Sequence, residues 1–149
     1  MFNLSQNAKE FLAKNRDKKI IFTNGCFDIL HLGHLEYLNE AKKLGDILII
    51  GLNSDKSIKK IKGEDRPIND QNFRKEMLKN LKSVDFVELF DEPTPYELIK
   101  AISPDVLVKG GDYTVDKVVG ADLVKEVVLI SFKEGHSTTD FIKKLQGKS

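Results

Sequence analysis

The chain has 149 residues, of which 40% are hydrophobic, and this is enough for one domain with a packed core. Its 24 lysines and arginines balance 23 acidic residues, so the net charge of +1 provides no overall field that favours nucleic acid as a partner. A single cysteine excludes an internal disulfide framework and is typical of a reducing compartment, so we expect a cytoplasmic protein.

The first segment, residues 1–17, predicts an N-terminal helix or extension ahead of a core at 18–146. Polar residues interrupt this segment every few positions, so it lacks the apolar run of a signal peptide. No stretch of the chain approaches the roughly 20 apolar residues of a membrane span. We therefore expect a single domain over 1–149 and no membrane partner.

Short apolar runs, most of them rich in β-branched residues, predict five strands at 20–22, 47–52, 84–89, 106–108 and 127–132. Between them, apolar residues recur at helical spacing: Leu35, Leu38, Ala41 and Leu44, then Phe73, Met77, Leu78 and Leu81, then Tyr96, Leu98, Ile99 and Ile102. This alternation predicts a doubly wound α/β domain, with a parallel sheet covered by helices on both faces. The polar stretch 53–72 is too long for a simple turn and predicts a functional loop.

The sequence TNGCFDILHLGH, residues 23–34, follows the first predicted strand. Ligands of open parallel sheets bind where strands end and helices begin, so this segment occupies a ligand-binding position. Gly25 permits a tight turn whose N–H groups could contact phosphate. His31 and His34 lie one helical turn apart, so their side chains project on the same side.

Three interpretations of the two histidines differ in what they require. As zinc ligands they would need further protein ligands, and only Cys26, His136 and distant carboxylates are available. As structural residues, His31 would cap a helix and His34 would be partly buried. Their place at the anion-attracting start of the first crossover helix favours contact with a ligand.

Other strand exits also carry groups that suit anions. Lys56, Lys59, Lys60, Lys62 and Arg66 follow the second strand, VKGGDY follows the fourth, and GHSTTD follows the fifth. An anionic ligand, most simply a nucleotide, is the inference. Because no serine, threonine or cysteine has a clear activating partner, the chemistry would be positioning and charge stabilisation, as in phosphoryl or nucleotidyl transfer.

Four ordered blocks, FTNGCFDILHLGHLEYLNEAKKLGD, GLNSDKSIKKIKGEDRPIN, PDVLVKGGDY and STTDFIKKL, resemble the cytidylyltransferase-like nucleotidyltransferases, whose HxGH signature matches His31 to His34. The resemblance is strongest to the adenylyltransferase domain of the bifunctional heptose kinase/adenylyltransferases. It implies a Rossmann-like, doubly wound, five-stranded parallel sheet. Asp28, next to the signature, is expected to order the turn and not to take a proton.

The resemblance also implies a set of site residues. Those expected at the nucleotide are Thr23, Asn24, Gly25, Cys26, Phe27, Gly33, Lys109, Gly111, Asp112, Ser137, Thr138 and Thr139. Those expected to act on the phosphates are His31 and His34, with either Lys59 or Lys62. Arg66 and Arg74 match recurrent basic positions and are candidates for substrate phosphate or for structure.

The implied reaction transfers AMP from ATP to a heptose 1-phosphate, giving ADP-heptose and pyrophosphate. Mg2+ or another divalent cation would be held mainly by the substrate phosphates, without a dedicated protein metal site. The partners expected are ATP, a sugar 1-phosphate and a second copy of the chain in a homodimer. The alternatives are a glycerol 3-phosphate cytidylyltransferase, a guanylyltransferase using GTP and a heptose phosphate, and a nucleotide-binding module without catalysis.

Overall fold

The computed structural model describes residues 2–111 and 114–131. Its strands are β1 (Ile20–Gly25), β2 (Ile47–Asn53), β3 (Phe86–Phe90), β4 (Val106–Gly110) and β5 (Glu126–Ile130). Its α-helices are α1 (Gln6–Asn15), α2 (Leu32–Lys42), α3 (Asp55–Lys62), α4 (Gln71–Lys79) and α5 (Tyr96–Ile102), and short 3-10 turns occupy Val115–Lys117 and Ala121–Leu123. None of the helices in these two ranges has the length and apolar character that crossing a bilayer requires.

The five strands form one sheet in the order β3-β2-β1-β4-β5, and every neighbouring pair is parallel. The chain builds outward from β1 through β2 to β3, then returns to place β4 on the other side of β1. The order therefore reverses between β1 and β4, where Ile21 pairs with Val106. The doubly wound parallel sheet is confirmed, and its ligand-binding crevice is expected beyond the carboxyl ends of β1 and β4.

Alternate residues of each strand pack into two separate cores, one on each face of the sheet. Ile21 faces a core that also contains residues of α2 and α4, such as Leu38 and Leu78. Phe22, the next residue, faces a core with residues of α1 and α5, such as Leu12. Because both faces are covered, the central strands carry uninterrupted apolar runs, Ile20 to Phe22 in β1 and Ile47 to Ile50 in β2, as in other buried parallel sheets.

The amino-terminal edge of the sheet is held by aspartate side chains. Asp105 accepts a hydrogen bond of 2.8 Å from the backbone N–H of Ile20, and Asp85 accepts one of 2.8 Å from that of Leu48. These bonds satisfy the backbone N–H groups of the first residue of β1 and the second residue of β2. They lie at the amino-terminal ends of the strands, whereas the predicted site lies at the carboxyl ends.

The prediction of a loop over 53–72 is wrong for its first half, where the chain forms α3. Ser54 caps this helix by accepting a hydrogen bond of 3.1 Å from the N–H of Ser57. Gly63 ends the helix with a positive φ of 103°, a conformation that favours glycine. Irregular backbone then connects α3 to α4.

The helix predicted around 73–81 exists as α4, but it presents a different face to the core. Phe73 and Met77 are 52% and 44% exposed, whereas Leu78 is fully buried. The other buried residue of α4 is Arg74, which the spacing of apolar residues does not identify. A charged side chain therefore occupies a core-facing position of this helix.

Candidate active site

Residues 23–28, at the carboxyl end of β1, form a closely packed turn. Thr23 is buried, and its hydroxyl lies 2.8 Å from that of Tyr37 on α2. The ring of Phe27 folds back over Gly25, and a Cβ at Gly25 would lie 2.9 Å from that ring. Gly25 is thus required for this close approach of the ring, and the left-handed backbone conformation belongs instead to Phe27, with φ of 46°.

His31 and His34 cap the start of α2 reciprocally. His31 Nδ1 accepts a hydrogen bond of 3.1 Å from the N–H of Gly33, and His34 Nδ1 accepts one of 3.3 Å from the N–H of His31. The ring centroids are 4.1 Å apart. Since Nδ1 is the acceptor in both rings, a neutral ring carries its proton on Nε2, which is then a hydrogen-bond donor.

Burial is the main cause, and the neighbouring His31 a smaller one, of the lowering of the pKa of His34 from 6.5 to about 4. His34 is therefore neutral near pH 7, as its capping bond requires. The Phe27 ring packs 5.5 Å from the His34 ring and contributes to this burial. At neutral pH the ring has an N–H donor at Nε2 and no positive charge.

A cleft of about 190 Å³ lies at the switch point, between the ends of β1 and β4. It is lined by Asn24, Gly25, Phe27, His34, Tyr37, Lys109 and Gly110. Burial lowers the pKa of Lys109, and the nearby Cys26 opposes that change. The fold thus brings together groups from the β1 turn, the α2 start and the β4 end, as expected for residues that share one ligand.

Two of the basic residues after β2, Lys59 and Arg66, contact other parts of the protein. Lys59 lies on α3, and its Nζ donates hydrogen bonds of 3.2 and 3.1 Å to the carbonyls of Glu64 and Arg66. Arg66 Nε lies 3.5 Å from a carboxylate oxygen of Asp28. Lys62, the last residue of α3, is exposed. These contacts favour a structural role for Lys59, and the choice between Lys59 and Lys62 at the phosphates stays a prediction.

Arg74 is buried, and its guanidinium donates to the backbone carbonyls of Cys26, Asn53 and Asn69 and to the carboxylate of Asp55. Of the two roles considered for Arg74, substrate phosphate and structure, these contacts favour structure. No signal in the sequence distinguishes this arginine from an exposed one.

Gly111 follows β4 with a positive φ of 91°, which accounts for a glycine there. Asp112, Ser137, Thr138 and Thr139 lie outside the described residues, and their roles stay predictions. Tyr37 lines the cleft and was not among the predicted site residues. Its position one helical turn after His34 was the available signal.

Known proteins resemble this chain over most of its length. The model of the cytidylyltransferase-like family matches residues 22–145. The bifunctional protein HldE of Wolinella succinogenes is 60% identical over 147 residues, which are 97% of this chain and 31% of that protein. HldE of Helicobacter hepaticus is 59% identical over 144 residues, which are 96% of this chain and 30% of that protein. The chain thus spans about three tenths of the length of these curated relatives.

Among solved structures, the lipopolysaccharide core biosynthesis protein from Thermoplasma volcanium GSS1 is similar, with a TM-score of 0.67 and 32% sequence identity. The match covers 78% of this chain and 99% of that one. The family match extends from β1 past β5, and so includes the HxGH signature at the start of α2 and Lys109 at the end of β4. On this sequence match, and with this geometry at the switch point, the chain belongs to the cytidylyltransferase-like family.

Proposed function

We propose that this chain transfers AMP from ATP to a heptose 1-phosphate, forming ADP-heptose and pyrophosphate. The observation that carries the proposal is the reciprocal histidine cap of α2, whose His34 lines the cleft at the switch point of the sheet together with Lys109. The similarity to HldE proteins over nearly the whole chain supports the choice of substrates. The homodimer that the resemblance implies stays a prediction.

In the proposed reaction, an oxygen of the sugar phosphate attacks the α-phosphorus of ATP in line. The new O–P bond forms as the bond from the α-phosphorus to the bridging oxygen breaks, and pyrophosphate takes that oxygen and its electron pair. The Nε2–H groups of His31 and His34 would donate to phosphate oxygens, and Lys109 would balance their charge. The protein needs no covalent intermediate, because its contribution is position and charge stabilisation.

A divalent cation is expected from the family, and we propose Mg2+ held mainly by the phosphates of the substrate. Within residues 2–111 and 114–131, no group of three or more His, Cys, Asp or Glu side chains could hold a metal ion. The groups that line the cleft are amide, imidazole, phenol and ammonium, a set that does not suit a protein-held Mg2+. We therefore assign no catalytic step to a metal bound by these residues.

The substrates are tested by measuring pyrophosphate release with ATP, CTP, GTP and UTP, each paired with heptose 1-phosphate and with glycerol 3-phosphate. We expect release with ATP and heptose 1-phosphate at a rate well above every other pair. Preferred use of CTP with glycerol 3-phosphate, or of GTP, would show that the proposed substrates are wrong. Binding of ATP without release from any pair would instead identify a nucleotide-binding module.

The role of the histidines is tested with His31→Ser. Serine is a good N-cap residue, so α2 retains its cap while the imidazole donor is lost. We expect pyrophosphate release to fall about a hundredfold to a thousandfold, as on removal of one transition-state donor. The thermal unfolding midpoint should stay close to that of the unmodified protein. Near-normal turnover in this variant would contradict the assignment.

A further inference from the structure

Arg74 joins the carboxyl ends of two neighbouring strands. Its guanidinium is fully buried, and one nitrogen, Nη1, donates hydrogen bonds of 2.8 Å to the carbonyl of Cys26 and 2.7 Å to that of Asn53. Asn53 ends β2, and Cys26 begins the turn that follows β1. A planar guanidinium can bridge two such acceptors, whereas the single ammonium of a lysine cannot match this fixed geometry.

The other nitrogens of Arg74 reach the starts of two helices. Nε donates a hydrogen bond of 2.9 Å to the carbonyl of Asn69, just before α4, and Nη2 donates one of 2.8 Å to Asp55, the first residue of α3. A buried charge is tolerated only when it is paired and hydrogen-bonded, and here all three nitrogens have acceptors within the protein. The side chain therefore fixes two strands and two helices relative to the β1 turn.

Asp28 holds the same turn from its other end. Its two carboxylate oxygens accept hydrogen bonds of 2.8 Å from the backbone N–H groups of Ile68 and Asn69. The amide of Asn69 donates a hydrogen bond of 2.6 Å back to the carbonyl of Asp28. Asn69 thus contacts both Asp28 and Arg74, which closes one network around the turn.

Phe27 lies between Cys26, whose carbonyl Arg74 holds, and Asp28. It has the left-handed backbone conformation, which costs free energy for a residue with a side chain. Such a conformation persists only where the surroundings determine it. With this backbone, the Phe27 ring covers Gly25 and packs against His34. The network is therefore connected to a histidine of the candidate active site through a single residue.

We propose that Arg74 and Asp28 are positioning residues of the candidate active site, which hold residues 26–28 in the conformation that sets Phe27 against His34. They act through the shape of the turn, without contact to the nucleotide. The effect on turnover rests on the proposed function, whereas the effect on the histidine rings does not.

The test compares Arg74→Lys and Asp28→Asn with Arg16→Lys. Arg16 is the control for the substitution itself, because this more exposed arginine also donates a hydrogen bond of 2.8 Å to a backbone carbonyl, that of Ile102 at the end of α5, away from the β1 turn. Each protein is examined by circular dichroism for folding, by 15N NMR of the histidine side chains for the ring tautomers, and by pyrophosphate release for turnover. Asn69→Ala, which removes one hydrogen bond to the turn, serves as a milder variant.

We expect the unmodified protein and Arg16→Lys to show His34 with its proton on Nε2 alone. In Arg74→Lys and Asp28→Asn the Phe27 ring no longer holds His34 in place, so the imidazole can rotate away from the His31 N–H that fixes its tautomer, and a mixture of tautomers should appear. Turnover should fall roughly a hundredfold, the scale of a misplaced catalytic group. If Arg74→Lys does not fold, the test rests on Asp28→Asn and Asn69→Ala. Asn69→Ala should show the same changes in tautomer and turnover, but smaller ones.

Folded variants that keep the single tautomer would overturn the proposal, whether or not the protein releases pyrophosphate. In an active protein, altered tautomers with turnover within about twofold of normal would overturn it as well. Absence of pyrophosphate release from the unmodified protein would contradict the proposed function alone, and the NMR comparison would still decide the role of Arg74 and Asp28.

Discussion

In the proposed reaction, each of the two imidazoles at the start of α2 serves the fold with one nitrogen atom and the chemistry with the other. Nδ1 of His31 caps the helix, and Nδ1 of His34 accepts the N–H of His31 in return. Each cap requires an unprotonated Nδ1, which leaves the proton on Nε2. Helix capping and phosphate contact, which the sequence presents as alternatives, are therefore compatible, because the cap fixes the tautomer that a phosphate donor needs.

The lowered pKa of His34 predicts a pH dependence of stability. Between its ordinary pKa of 6.5 and about 4, the unfolded chain binds a proton that the folded chain does not. The contribution of His34 to the free energy of unfolding is therefore full above about pH 6.5 and is lost as the pH falls towards about 4. Urea unfolding at pH 7, 6 and 5 measures it, with His34→Gln as the comparison because glutamine retains the acceptor at this capping position.

We expect the free energy of unfolding to fall more between pH 7 and pH 5 in the unmodified protein than in His34→Gln. The carboxylates titrate in both proteins, so the difference between them isolates the histidine. Equal pH slopes would show that the pKa of His34 is not lowered in the folded state.

At the scale of elements, the sequence predicts those whose apolar pattern is strong. All five strands and the helices α2 and α5 follow from β-branched runs and helical spacing. The helix α3 could not be recognised in this way, because Ile58 and Ile61 are its only apolar residues and Ile61 is 49% exposed. The burial of Arg74 could not be predicted from the sequence either. Its hydrogen-bond acceptors come from segments distant in sequence, which only the folded chain brings together.

The aspartates at the amino-terminal edge of the sheet predict a loss of stability without a loss of activity. Asp105→Ala removes the acceptor of the Ile20 N–H, and Ile20 is buried. An unsatisfied buried donor costs about 1 to 3 kcal/mol, so the free energy of unfolding should fall by about that amount. Pyrophosphate release should be unchanged, because the cleft lies at the opposite edge. Asp105→Asn retains an acceptor oxygen and should lose less stability than Asp105→Ala. Reduced activity of a fully folded Asp105→Ala protein would contradict the assignment of the site to the carboxyl ends of the strands.

For the whole molecule, the order of the strands brings residues that are distant in sequence together at one cleft. Gly25, His34 and Lys109 meet only because β4 returns to the side of β1, so the sequence indicates their association through topology and family resemblance, not through proximity. The net charge of +1 adds little long-range attraction for a nucleotide. We therefore expect affinity for ATP to depend on the lysine that lines the cleft, and not on the total charge of the protein.

Lys109→Met and Lys14→Met test this, because each removes one positive charge and only Lys109 lines the cleft. Burial disfavours the charged form of Lys109, so its ammonium gains more from a phosphate partner than that of the exposed Lys14. A charge-assisted hydrogen bond contributes about 1.5 to 3 kcal/mol, so calorimetric titration with ATP should give a Kd about tenfold to a hundredfold higher for Lys109→Met. Lys14→Met should keep the Kd of the unmodified protein, and an equal weakening in both variants would show that overall charge, and not the group at the end of β4, determines binding.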